Sequence, residues 1–232
     1  MDTNSNQARR VVIGITAHVD AGKTTLAEAM LYRTGRLRKL GRVDHGSAAM
    51  DSHLLERERG ITIFSSQAEL PIGDLEVTLL DTPGHVDFSA EMERTLSVLD
   101  YAILVISGAD GVQAHTRTLW RLLELYRIPT FLFVTKMDFG RCGRGQMMEH
   151  LRHELGEGCV DFTPADRERR MEQLATCRED ALEAYLDGGE VPDALVRQLV
   201  GRRLVFPCWF GSGLKLEGID EFLEGLARYV EP

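Results

Sequence analysis

Cysteine is scarce in this chain and badly spaced for metal: Cys142, Cys159, Cys177 and Cys208 form no CxxC pair, and no histidine stands at zinc-finger spacing from them. A metal knuckle is thereby excluded, and reduced thiols are the expected state. Long hydrophobic runs are absent too. None approaches the ~18 apolar residues of a membrane span, and no charged leader runs into a long apolar stretch, so neither a span nor a secretory signal is expected. The chain reads as soluble, cytoplasmic and without a membrane partner. Positive charge is in deficit, with 27 Lys and Arg against 36 Asp and Glu and a net charge of −9. No overall basic field draws the chain to nucleic acid, which argues against a sequence-specific reader. Any RNA must be met through a local patch or another protein. No internal repeat is evident. What is present is apolar substance: 44% hydrophobic residues over 232 positions suffice for one domain, or one domain with an excursion.

Apolar runs of strand length alternate with helix-period segments. The strand candidates are "VVIGIT" (11 to 16), "ITIFSSQAEL" (61 to 70), "LEVTLL" (75 to 80), "YAILVI" (101 to 106), "TFLFVT" (130 to 135) and "LVFPCWF" (204 to 210). Several are apolar on both faces, as buried parallel strands are. Leu119, Leu122, Leu123 and Tyr126 recur at helical spacing, as do Ile219, Phe222, Leu223, Leu226 and Val230. The pattern predicts a doubly wound α/β domain: a mostly parallel six-stranded sheet with flanking helices. The second and third strands are joined only by "PIGD", too short for a crossover helix, so they form one antiparallel edge pair. Pro207 suits an edge or a strand end, which places the last strand at the sheet margin. Residues 140 to 203 are rich in Arg and Glu and read as an excursion of two or three helices. Thr163 with Pro164 and Asp166 marks a helix start and "DGG" (187 to 189) a stop. "RERR" at 167 to 170 reads as a solvated face rather than a contact surface.

The first chemistry is "AHVDAGKTT", residues 17 to 25, which closes the first strand and opens a helix. A phosphate there meets free amides and the positive end of the helix dipole. Val19, Asp20, Ala21, Gly22, Lys23, Thr24 and Thr25 form the cradle. Lys23 reaches the β and γ phosphates, and Thr24 places its hydroxyl on Mg²⁺. From this loop alone the base can be adenine or guanine, and the reaction that of a kinase or a hydrolase. "DTPGH" (81 to 85) ends the third strand, at the sheet edge where ligands lie in open α/β folds. Asp81 can hold Mg²⁺ through a water, and the Gly84 amide can bond the γ-phosphate only while that phosphate exists. "TKMD" (135 to 138) ends the fifth strand and reads the base. Asp138 accepts from the guanine N1–H and exocyclic amine, where adenine has no matching donor. Lys136 lays its stem along the base plane. "GSG" (211 to 213) can offer the amides of Ser212 and Gly213 to guanine O6, although such a turn alone is weak evidence.

These signals stand in the order a GTPase requires. "AHVDAGKTT", "LLERERGITI", "DTPGHVDF", "DGVQAHTR", "TKMD" and "FGSGLKLEGID" together resemble the P-loop G domain of the translational GTPases. The resemblance is greatest to the tetracycline-resistance ribosomal protection proteins, with elongation factor G a near relative, and it runs from about Val11 to Pro232. It implies a GTPase that binds GTP and GDP with Mg²⁺ and turns over slowly without the ribosome. It implies that Thr62 closes over Mg²⁺ and the γ-phosphate, and that His85 orients the attacking water. It implies that Val19 and Ile61 flank and restrain that histidine, and that Asp20 holds a monovalent cation near the phosphates. Taken alone, a histidine after a Pro-Gly turn is more often structural than catalytic. Lys23, Thr62, Gly84 and His85 are thus the catalytic candidates, and Thr24, Thr62 and Asp81 the metal candidates. The resemblance implies ribosomal partners, large-subunit RNA and stalk proteins, met by a monomer through the full-length protein.

The sequence departs from the family at Ala17, Thr135 and Gly213, where Gly, Asn and Ala are frequent. Thr135 is expected to weaken the tie between base loop and phosphate loop. Family members continue for several domains beyond the point where this chain stops at "ARYVEP". The expectation is therefore a single G domain over 1 to 232, a fragment or truncated product, able to bind and slowly hydrolyse GTP but not to dislodge tetracycline or translocate tRNA by itself. Rival readings are an elongation factor G-type factor, a nucleotide-gated binding module with little turnover, and a P-loop kinase, in which "TKMD" has no task.

Overall fold

Alternation along the strands dictates the layers of the molecule. In the computed structural model, which describes residues 9–38, 67–82, 94–139, 142–163 and 167–231, the strands are β1 (Arg9–Ala17), β2 (Gln67–Ile72), β3 (Leu75–Asp81), β4 (Tyr101–Ser107), β5 (Thr130–Thr135), β6 (Cys159–Asp161) and β7 (Phe206–Phe210). They form one sheet in the order β2-β3-β1-β4-β5-β7-β6. Every residue of β4 and β5 is buried, as a central parallel strand covered on both faces must be. Tyr101, Ile103, Val105, Phe131 and Phe133 point into one apolar layer, while Ala102, Leu104, Ile106, Leu132 and Val134 point into the other.

Helices α1 (Lys23–Arg33), α2 (Ala114–Leu125), α3 (Arg144–Leu155), α4 (Arg167–Thr176), α5 (Glu179–Gly188), α6 (Asp193–Gly201) and α7 (Ile219–Tyr229) flank the sheet. α1, α7 and the excursion helices α4 to α6 contribute to the first layer, where Phe131, Phe162, Phe222 and Tyr229 surround Trp209 or one another at ring distances of 5.2 to 6.2 Å. α2 and α3 cover the second. Both helical stripes anticipated from spacing are present: Leu119 and Leu123 are buried in α2, and Ile219, Phe222, Leu223 and Leu226 in α7.

The antiparallel pair is β2 with β3, turned at Gly73 and Asp74, and the remaining pairs are parallel. Three expectations need correction. Among the described residues the sheet has seven strands rather than six, because three residues, Cys159, Val160 and Asp161, pair with Phe206, Pro207 and Cys208. β7 is therefore internal, and the margin belongs to β6. Pro207 is tolerated there because pairing with β5 begins one residue later, at Leu132 with Cys208. The Phe206 amide donates to Gly158 O on the β6 side, so alternation turns the Pro207 nitrogen toward β5, before that ladder starts. Between β5 and β7 the described chain holds four helices where two or three were anticipated. α5 stops at Gly188 with Gly189 as its cap, as "DGG" suggested, whereas Pro164 and Asp166 lie outside the described residues.

At the edge away from the loops described below, the two ends of the described chain are clamped together. Arg9 donates to Val230 O at 3.2 Å and Ala227 O at 3.0 Å. The Tyr101 hydroxyl donates to Glu231 O and accepts from the Glu231 amide, both at 3.0 Å.

Candidate functional site

Parallel strands deliver their following loops to one edge of a sheet, and here the ends of β1, β3, β5 and β7 meet at that edge. After Ala17 the chain turns through His18 and Val19, with the Ala21 amide donating to His18 O at 3.1 Å. Gly22 has φ +94°, a left-handed conformation that a side chain disfavours, so glycine is required where the loop becomes helix. α1 then begins at Lys23, with Leu26 N donating to Gly22 O at 2.9 Å. Its N-cap, Gly22, has no side chain to cap it, and no acid stands in its first turn. Its first amides and positive dipole end thus have no compensating group from their own helix, which suits a multiply charged anion. Thr24 and Thr25 are half-buried in that first turn.

Lys23 is 9% exposed. Its ammonium pairs with Asp81 Oδ1 at 2.6 Å and donates to the Thr82 carbonyl. Asp81, the last residue of β3, is fully buried and in register with Ile15 of β1. Thr82 is pinned to β1 in turn, both its amide and its hydroxyl donating to Ile15 O at 3.1 and 2.9 Å. The phosphate loop and the start of the "DTPGH" segment are thus held together through one lysine. The Asp81 carboxylate and the Thr24 hydroxyl are hard oxygen donors of the kind Mg²⁺ accepts.

The base side is built from β5 and β7. Thr135 is buried, and its hydroxyl donates to Ala21 O at 2.6 Å. Threonine at 135 thus keeps a tie to the phosphate loop, its hydroxyl reaching Ala21 O from one bond beyond Cβ. Lys136 (φ 54°) and Asp20 (φ 61°) both hold the left-handed region, and Lys136 Nζ donates to Asp20 O at 2.6 Å. That bond helps hold two costly backbone conformations in place. Gly213 lies against the first turn of α1: a Cβ at this position would stand 2.9 Å from Thr25 O and 3.1 Å from Leu26 N. Absence of a side chain lets the β7 loop approach the phosphate-side helix. Ser212 anchors that loop by exchanging backbone bonds with Glu217 at 2.9 and 3.0 Å.

Asp138 is exposed, and its Oδ2 receives Lys215 Nζ at 2.7 Å. The hydrogen bond from Lys215 holds the Asp138 carboxyl below the usual carboxylate range, and the same bond raises the Lys215 ammonium. Lys215 stands two positions after Gly213 in the "FGSGLKLEGID" segment, but no spacing in the sequence ties it to Asp138. Nor does any spacing single out Thr82, or the His18 ring, which lies 5.8 Å from the ring of buried His115 in the "DGVQAHTR" segment. Among the other candidates, Val19 is 40% exposed. Ile61, Thr62, Gly84 and His85 lie outside the described residues. The structure thus brings together the residues from Asp20 to Thr25 with Asp81, Thr135, Lys136, Asp138, Ser212 and Gly213 at one edge.

Known proteins resemble the chain over nearly its whole length. The family described as elongation factor Tu GTP binding domain matches residues 8–232. An oxytetracycline resistance protein of Streptomyces rimosus is 41% identical over 94% of this chain and 37% of its own length. The tetracycline resistance protein TetM of Streptomyces lividans is 40% identical over 96% of this chain and 38% of its own length. TetO of Campylobacter jejuni is 35% identical over 93% and 36% respectively. A crystal structure of a Thermus thermophilus protein superposes with a TM-score of 0.85 at 28% identity, over 97% of this chain and 40% of that one. The chain spans a little over a third of the length of the curated relatives it matches.

Proposed function

Because the chain belongs to the family of the elongation factor Tu GTP binding domain, we propose that it is the GTP-hydrolysing domain of a tetracycline-resistance ribosomal protection protein. The observation that carries the reading is the convergence of an uncapped helix start, the Lys23–Asp81 pair and the Asp138 carboxylate on one sheet edge. The first offers amides to phosphate oxygens, the second a fixed positive charge, and the third a purine reader that accepts from guanine.

In this reading GTP is the substrate, and the residues from Asp20 to Thr25 hold its phosphates. Lys23 neutralises charge that develops at the β–γ bridge. Thr24, Thr62 and Asp81 hold Mg²⁺, which supplies further neutralisation of the phosphates when bound. Thr62 and the Gly84 amide contact the γ-phosphate, so their loops respond to its loss. His85 aligns a water for in-line attack, the role that glutamine has in other GTPases. Val19 and Ile61 restrain His85, and Asp20 holds a monovalent cation. Lys136 covers the base plane, while Ser212 and Gly213 offer amides to the guanine carbonyl. No helix among the described residues is long and apolar enough to cross a membrane. We place the protein in the cytoplasm as a monomer, meeting large-subunit RNA and stalk proteins through the longer protein of which this domain is part. The relatives' names attach tetracycline resistance to whole proteins, and that activity is proposed for this chain only with its family's further domains.

The test is His85→Ala in a protein carrying those further domains. GTP affinity is expected to persist while ribosome-stimulated turnover falls by about 100-fold or more. Unchanged turnover removes His85 from the mechanism. Asp138→Asn is expected to move preference from guanine to xanthine nucleotides, and retained guanine preference would show that the base pocket lies elsewhere.

A further inference from the structure

A second charged centre lies away from the nucleotide edge, where α3 and α4 pack beside the margin strand β6. Arg144 and Arg152, two turns apart on one face of α3, face Arg169 and Arg170 of α4 across a cleft of about 80 Å³. Met148 and Gln173 complete its wall. In a chain of net charge −9, four guanidiniums around one cavity demand a reason.

The one acid among the described lining residues, Asp161, is already committed. Its Oδ2 receives Arg144 Nε at 2.6 Å and its Oδ1 receives the Thr163 amide at 2.9 Å. Arg152 and Arg170 are only partly engaged. Arg152 gives Nε to Cys159 O at 3.1 Å, which leaves its two terminal amino groups. Arg170 donates one terminal nitrogen to Phe162 O at 3.2 Å and stacks on the Phe162 ring, 5.4 Å from its centroid. Arg170 Nε, however, is buried without a hydrogen-bond partner, and so is Gln173 Oε1. A buried donor left unmade is costly, and the Gln173 amide presents a donor at the same place after a half-turn. Partly spent guanidiniums with a buried unpaired N–H describe a site for an acceptor-rich anion.

The geometry points to a binding site for a single phosphate group, either free inorganic phosphate or the terminal group of a small phosphomonoester. A cavity of about 80 Å³ has room for several waters at ~10–15 Å³ each, enough for one tetrahedral oxyanion. Planar guanidiniums bind phosphate oxygens in pairs, and a dianion offsets the charge of the partly engaged Arg152 and Arg170. "RERR" thereby gains a use for its last two residues beyond solvation.

The test follows the arginine Nε–Hε resonances of the full chain by NMR during separate titrations with inorganic phosphate, glycerol 3-phosphate and a short single-stranded RNA. These resonances report the cleft whatever occupies the nucleotide edge, so the outcome is independent of the GTPase reading. Saturable shifts at Arg152 and Arg170 are expected with the first two ligands, and the tighter of them identifies the source. Arg152→Gln is expected to weaken that binding at least ten-fold and the exposed Arg169→Gln about three-fold, with GDP affinity unchanged in both. No saturable shift with either small ligand, a response to RNA alone, or wild-type affinity in both variants would overturn the proposal. Arg169→Gln, on the surface of α4, keeps the measurement decisive should Arg152→Gln fail to fold.

Discussion

Two ion pairs of the same chemistry stand at the two ends of the nucleotide edge, in opposite surroundings. At the phosphate end, the Lys23 side chain is 10% exposed and that of Asp81 0%; at the base end, Lys215 and Asp138 are 50% and 38% exposed. A buried pair cannot lose one member cheaply, because the other is left charged in a poor solvent. An exposed pair opens to water at little cost. The phosphate end is thus built as a fixed charge arrangement, and the base end as an acceptor whose partner can be exchanged. That is what two tasks require, since charge neutralisation benefits from groups already in place whereas base selection needs a carboxylate that can give up one donor for another.

The comparison is broken most severely at Lys23. Lys23→Ala removes the ammonium beside a fully buried carboxylate and is expected to destabilise the fold by ~3–5 kcal/mol, read by urea denaturation. A loss below ~1 kcal/mol would mean that the pair is not effectively buried. Next comes the close approach that joins the two ends. Gly213→Ala drives a methyl against the Thr25 carbonyl and should cost ~1–3 kcal/mol, with weaker GDP binding in calorimetry, unless the loop moves away freely. Smaller again is Thr135→Val, which keeps the shape but deletes the bond to Ala21 O. About 1 kcal/mol of stability and a modest loss of GDP affinity are expected, and an unaltered affinity would show that this tie does not position the phosphate loop.

The smallest effect belongs to the exposed pair. Asp138 has its pKa depressed by Lys215, so its contribution is full above the ordinary carboxylate pKa and fades as pH falls through the lowered one. Lys215 has its pKa raised, so its share is full below the ordinary lysine value and fades as pH rises through the raised one. The pair therefore stands across the neutral range. In Lys215→Met the Asp138 carboxyl should titrate higher, back toward its ordinary range, when followed by carbon NMR, with the melting temperature nearly unchanged. A carboxyl that does not move would leave its depression to some cause other than Lys215.

Much of this was legible beforehand, for definite reasons. Central strands such as β4 and β5 announce themselves because burial on both faces demands continuous apolar runs. Loops that bind phosphate and base do so because their chemistry depends on residue type at fixed offsets, as in "AHVDAGKTT" and "TKMD". β6 was invisible because three residues carry no periodicity, and it exists only because β7 offers an edge. Pro207 misled because a missing amide matters only where a neighbouring strand would have received it. Lys215 and Thr82 escaped notice because each acts through a partner distant in sequence, Lys215 on Asp138 and the Thr82 carbonyl on Lys23. Likewise "RERR" looks solvated in one dimension, and only the meeting of α3 and α4 beside β6 shows that two of its arginines line a cleft.

The clamp of Arg9 and Tyr101 on residues 227 to 231 has a mechanical consequence. Because β1 lies inside the sheet and α7 packs on it, a force pulling residues 9 and 231 apart meets these hydrogen bonds before any strand can peel. They are few and local. Tension at that point breaks the clamp first, and the loops at the far ends of the strands feel it last.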